Sequence, residues 1–146
     1  MNRILVALDD TDNAPFVLAR AIELGTALGA KLRLLSAVQV PAIATAAPTG
    51  PVYVDPSVLT VAAEARLHDS EERVPAALRD GTVAQIGSPS DVICSVARAY
   101  DADLVVIGAH RHGLIARALG TTAASVVNHI DRPVMVVKPA PAPAPA

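Results

Sequence analysis

Residues 107–122 read I-G-A-H-R-H-G-L-I-A-R-A-L-G-T-T, an apolar strand end that turns into Gly, His and Arg and closes on Gly-Thr-Thr. Gly108 and Gly113 are spaced like the two glycines of a phosphate loop. Leu114 and Ile115, however, stand where that loop places Lys and then Ser or Thr. The stretch is therefore no P-loop. Its end is more informative. Gly120 gives the backbone room, and Thr121-Thr122 opens a helical pattern whose first N–H groups have no partner within the helix. Free amides, the positive end of the helix dipole and two hydroxyls are the makings of an anion site. Gly108, just past an apolar run, permits a tight turn or close approach by a flat ligand. The same residues also make a plain turn with Thr121 as a side-chain cap, so spacing alone leaves phosphate binding and simple geometry both open.

Other chemistries have less behind them. His110 and His112 lie two apart on a loop without a Cys or carboxylate cluster beside them, so no metal site is predicted. Ser125 and His129 are one helical turn apart, but no oxyanion loop accompanies them and no catalytic residue is assigned. His68 reads as a solvent-facing side chain. Cys94, beside Ile93 and Val96 in a helical pattern, reads as a small core residue, since a single Cys has no partner for a disulfide.

The elements that must position these groups alternate strictly. Short apolar runs at 3–8, 31–38, 82–86, 103–108 and 133–138 predict five strands. Between them fall helices. The first starts at Asp12 or Asn13, with Pro15 in its first turn, Val17, Ala21, Leu24 and Leu28 inward, and Gly29 to close it. The second starts at Asp55-Pro56 and runs to about Val74. The third opens on a capping box at Ser88-Pro89-Ser90-Asp91, and the fourth covers 121–130 with Val126, Val127 and Ile130 inward. Strands apolar throughout and separated by helices predict an α/β fold: an open five-stranded parallel sheet covered on both faces. In the mononucleotide-binding order 3-2-1-4-5, a Rossmann-like arrangement, the chain reverses between strands one and four. Ligands of such sheets bind at the strand carboxyl ends beside that reversal. Asp9-Asp10 and the Gly108–Thr122 segment both emerge there.

Residues 1–138 are one domain's worth of chain, with a long unpatterned stretch over 41–54 that reads as a mobile loop. The tail 139–146 is Pro/Ala-rich and reads as disordered, extended polyproline II. A net charge of −2 with one Phe and two Tyr offers neither a basic stripe nor a stacking platform, so no nucleic-acid partner is expected. No apolar run is long enough to span a bilayer, and the N-terminus does not read as a signal peptide. A cytoplasmic protein without a membrane partner is the expectation.

Three spaced motifs carry a resemblance. The start I-L-V-A-L-D-D-T, the segment G-S-P-S-D-V-I, and the C-terminal stretch from Ile107 to Lys138 are similar to the signatures of the universal stress protein family. The resemblance implies the five-stranded sheet inferred above and a stress-response regulatory role. Many members bind ATP through Gly, two residues, Gly, nine residues, Gly and then Ser or Thr, while others lack the pattern and bind no nucleotide. Here Arg111 takes the place of the second glycine, eight residues separate it from Gly120, and the final Gly-Thr is kept. Carried over by position, the resemblance implies that Ala7, Leu8 and Asp9 face adenine and ribose, and that Ala37 lines the adenine pocket. Gly108, Gly120, Thr121 and Thr122 hold phosphates, with His110 and Arg111 as additions. Asp10 stands where a glycine is usual. The implied ligand is ATP, ADP or AMP, with or without Mg2+, bound with at most weak hydrolysis. The competing readings are a slow ATP hydrolase, holding Mg2+ on Asp9 or Asp10, and a nucleotide-free dimerisation module. A homodimer through the 133–138 strand is implied by the family and by the apolar sheet edge alike.

Overall fold

A computed structural model describes residues 1–40, 54–109 and 119–139. The elements are β1 (Arg3–Ala7), α1 (Ala14–Leu28), β2 (Lys31–Val38), α2 (Pro56–Glu72), β3 (Arg79–Ile86), α3 (Pro89–Tyr100), β4 (Leu104–Gly108), α4 (Thr121–His129) and β5 (Val134–Val137). His110, Arg111, the stretch read as a loop over 41–54 (but for Val54) and the tail beyond Pro139 lie outside the described residues.

The sheet has the order β3-β2-β1-β4-β5, and each neighbouring pair is parallel. Alternation along β1 explains why it sits in the middle. Ile4, Val6 and Leu8 pack into one apolar cluster with Val17, Leu18 and Ala21 of α1 and Leu67 of α2. Leu5 packs into the other, with Val92, Ile93 and Val96 of α3 and Val126 of α4. A strand buried on both faces has no polar side to alternate with, which is why its sequence reads as one apolar run.

The helix faces differ in part from those expected. On α1 the buried residues are Val17, Leu18, Ala21 and Gly25, while Leu28 is exposed. Gly25 sets this face: a Cβ built on it would lie 3.0 Å from Leu32 Cδ2, so α1 meets β2 where no side chain intervenes. Gly29 ends α1 in the left-handed conformation, its N–H donating to the Gly25 carbonyl, as its place in the sequence predicts. Ser88 occupies the position before α3, but its side chain makes no capping bond, so the expected capping box is not formed. On α4 Ala123 and Val126 are buried, whereas Val127 is exposed and Ile130 half-buried, because only one narrow stripe of this short helix meets the sheet.

Strand β3 begins three residues earlier than the sequence predicts and is largely exposed, not apolar throughout. Arg79-Asp80-Gly81 lies outside the apolar run read as the strand, yet it is held in the sheet by interactions that local propensity does not contain. The β2–β3 register shifts between Leu32 and Leu34, and Gly81 takes a φ of 90° there. Arg33 Nε donates to the Asp80 carbonyl at 2.9 Å, and the Tyr100 hydroxyl donates to Asp80 Oδ2 at 2.6 Å. The Arg33 guanidinium lies 4.2 Å from the Tyr100 ring centroid. Burial, followed by the Asp80 hydrogen bond, pushes the Tyr100 phenol well above its usual range. Nearby, the Asp103 carboxylate accepts the amides of Asn2 and Arg3 at 2.6 and 2.9 Å, joining the start of β4 to that of β1. The amino ends of the strands are thus clasped together.

Two stability predictions follow from these contacts. Gly25→Val overpacks the α1–β2 contact and costs roughly 1–3 kcal/mol in urea denaturation, the usual range for an inserted side chain in a close-packed core. The amides of Asn2 and Arg3 hold the Asp103 carboxyl below the ordinary carboxylate range. Its contribution to stability is therefore complete above the unfolded-state pKa of about 3.9 and is lost as the pH falls through the lower folded-state value. Asp103→Asn lowers the melting temperature at pH 7, and the gap from the parent narrows on acidification below about pH 4. A gap that widens with acid contradicts the assignment.

Candidate functional site

The carboxyl ends of β1 and β4 part because their connections leave to opposite sides of the sheet: α1 follows β1 into one layer, and α4 follows β4 into the other. A cleft with a cavity volume of about 850 Å3 opens there. Ala7, Leu8, Asp9, Ala37, Gly108, Gly120, Thr121 and Thr122 all line it, so every described residue of the expected site is brought to one place. The structure assigns nothing to His110 and Arg111, which lie outside the described residues.

The start of α4 differs from the plain turn that the sequence left open. The residue before the helix is Gly120, in extended conformation at φ −62° and ψ 163°, and no side chain among the described residues caps this end. Thr121 is the first residue of the helix and not its cap. The Gly120 carbonyl accepts the Ala124 amide at 2.9 Å, leaving the amides of Thr121, Thr122 and Ala123 ahead of the first helical bond. Both threonines are exposed toward the cleft, and Ala123 beneath them is buried. N–H groups without a partner among the described residues, two hydroxyls and a dipole aimed at one open space can hold a phosphate-sized anion.

The opposite wall is built from β1 and β2. Asp9 Oδ1 accepts the Thr11 amide at 3.1 Å and the Thr11 hydroxyl at 2.5 Å, a local turn that fixes the carboxylate at the strand end. Only one of its two oxygens is used among the described residues. The other is available to hydroxyl or amino donors. Ser36 and Ala37 at the end of β2 give this wall a small, flat surface.

Gly108 has a structural use that the sequence did not show. A Cβ there would lie 3.1 Å from Asn13 Nδ2 and 3.2 Å from Val17 Cγ2, so the protein's own α1 already occupies the room this glycine leaves. The Asn13 amide nitrogen is buried without a hydrogen-bond partner among the described residues.

Several wall residues escaped sequence reasoning, among them one face of α2. Leu59, Ala62 and Arg66 of α2 line the cleft. Their spacing of three and four residues puts them on one helix face, and that was the available signal: an arginine closing an otherwise apolar stripe.

His129 Nδ1 bonds the Ser125 carbonyl at 2.8 Å, a backbone contact and not a nucleophile–base pair. Among the described residues no group of three His, Cys, Asp or Glu side chains could hold a metal ion. Cys94 is buried, and burial pushes its thiol up, away from the reactive thiolate. Among the described residues no helix is long and apolar enough to cross a membrane.

Known proteins with similar chains or folds share this architecture. Universal stress protein G of Salmonella typhimurium is 40% identical over 57 residues, 39% of this chain and 40% of that protein. The chain thus matches less than half the length of this curated relative. Among solved structures, a universal stress protein in complex with cAMP superposes with a TM-score of 0.67 at 23% identity, covering 94% of this chain and 96% of that one. The Archaeoglobus fulgidus universal stress protein in complex with dAMP gives 0.66 at 22% identity, covering 94% and 98%. At such identities the likeness speaks to fold. Residues 1–138 match the model of the universal stress protein family, and the chain belongs to that family.

Proposed function

We propose that the cleft binds an adenine nucleotide, with the phosphates against the start of α4, the base beside Ala37 and the ribose toward Asp9. One observation carries this reading: the amides that open α4, uncapped among the described residues, face the same cavity as Asp9 and the small residues of β2. Relatives of the same fold solved with cAMP and dAMP support it. His110 and Arg111, carried over from the family pattern by position, join the phosphate side. No lysine of the P-loop kind is present in the motif and no general base is evident, so the protein holds ATP, ADP or AMP, with or without Mg2+, with little or no turnover. A regulatory role in the cytoplasm, read out through the protein's surface, fits such binding.

Isothermal titration with ATP, ADP, AMP and adenosine tests the site. Gly120→Val obstructs the approach to α4 and abolishes nucleotide heat. Thr121→Ala costs roughly 1 kcal/mol, the worth of one neutral hydrogen bond. Asp9→Asn keeps an oxygen for the Thr11 turn but loses the carboxylate, and it weakens adenosine and AMP by the same factor. Absence of heat and of any thermal shift at millimolar nucleotide with Mg2+ removes the reading and leaves the nucleotide-free module. Release of ADP in step with binding favours the slow hydrolase.

The same reading includes a homodimer through β5. Pro133 and Val137 carbonyls accept the amides of Val105 and Ala109 in β4, at 3.0 and 2.9 Å. By the alternation of a strand, Val134 and Val136 then turn their own N–H and C=O groups toward the open edge. Val136→Pro therefore deletes an outward donor while sparing the β4 pairing. Light scattering reports a dimer at tens of micromolar for the parent and a monomer for the variant. A monomeric parent excludes the dimer.

A further inference from the structure

Beyond the cleft, a second cavity of about 250 Å3 lies between α1 and α2. Arg66 and Asp10 line both spaces. Both side chains are exposed, and neither makes a hydrogen bond or ion pair among the described residues. Arg66 is the one cation among the described residues of the larger cleft. The other charged groups nearby are Asp9, whose Oδ1 is taken by Thr11, and Asp69 and Arg73, which line the smaller cavity alone. A guanidinium and a carboxylate thus border one gap without meeting across it. Such a gap suits a ligand edge that offers an acceptor beside a donor.

Placement decides which part of a nucleotide that is. Arg66 belongs to α2, in the layer of α1, with Leu59 and Ala62 on its own face. The anion-binding start of α4 belongs to the opposite layer. Arg66 is therefore across the cleft from the phosphates, on the side of the base.

We infer that Arg66 and Asp10 are specificity residues that read the base, the guanidinium donating to a ring nitrogen and the Asp10 carboxylate accepting from the adjacent exocyclic amino group. This rests on the nucleotide reading above. Adenine presents that pair, N7 as acceptor and the 6-amino group as donor. Guanine presents two acceptors on the same edge, N7 and O6, and O6 would face the Asp10 carboxylate with no hydrogen between them. The pair thus selects adenine over guanine.

Calorimetric titration of the full chain with AMP, GMP and adenosine, in the parent and in Arg66→Ala, Arg66→Lys and Asp10→Asn, tests this. The parent binds AMP at least about tenfold more tightly than GMP, the worth of one charge-assisted hydrogen bond. Arg66→Ala loses roughly that factor on AMP and on adenosine alike, Arg66→Lys recovers part of it, and Asp10→Asn, which can donate to O6, narrows the AMP-to-GMP ratio. Arg66 is exposed, and an unchanged melting temperature verifies that its variants fold. Three results overturn the inference while sparing the nucleotide site: equal affinity for AMP and GMP, Arg66 variants that bind like the parent, or an Arg66→Ala loss on AMP that adenosine does not share. A parent that binds no nucleotide overturns both.

Discussion

A parallel sheet buried on both faces has to be covered from two sides by connections that all run the same way along it. Strand β1 carries this constraint: Ile4 and Val6 need α1 and α2, while Leu5 needs α3 and α4. The chain satisfies it by building outward from β1 in one direction through β2 and β3, then returning to add β4 and β5 on the other side. The helices that follow β1 and β4 consequently diverge to opposite faces of the sheet. The cleft is what remains where covering two faces forces the path to split. Its described lining draws on the residues at those ends, Asp9 and Asp10 after β1, Gly108 closing β4 and the opening of α4, together with one face of α2.

The opposite end of the sheet is closed by side chains. Asp103 takes the amides of Asn2 and Arg3, and Tyr100 is held between Asp80 and the Arg33 guanidinium. Arg132 donates to Asp101 and to the Ala102 carbonyl, and Asp101 itself takes the left-handed conformation at φ 54° that ends α3. Each exposed ion pair is worth little alone, but together they secure the amino ends and leave polar variation to the carboxyl ends. Stability and ligand chemistry are housed at opposite poles of the strands.

Much of this was legible in the sequence for a simple reason. The core strands are continuous apolar runs because both of their faces are buried, and runs of that kind stand out. Asp9, Gly108 and Gly120-Thr-Thr were legible because strand ends and helix starts in this topology converge on one crevice, whereas Ala37 was legible only through the family resemblance. What stayed hidden was tertiary. Arg79-Asp80-Gly81 stays outside the apolar run of 82–86 until Arg33 and Tyr100 from other elements hold it as a strand. Leu28 looks inward by spacing until Gly25 shows which side of α1 approaches the sheet. Arg66 looks like any surface arginine until α2 is laid across the strand ends. In each case the deciding atom belongs to a segment far away in the chain, where no local pattern reaches.

Gly108 has one more property. It pairs with Val137 in the β4–β5 register, and the next amide, that of Ala109, donates to the Val137 carbonyl at 2.9 Å. The floor of the cleft and the outermost strand are therefore a single hydrogen bond apart. A backbone shift at Gly108 would have to be accommodated at Val137, and a β5 held from outside would restrain Gly108 in return. Thermodynamic linkage makes such an exchange symmetrical. The fold thus places the crevice floor and the open edge of the sheet on adjacent rungs of one ladder.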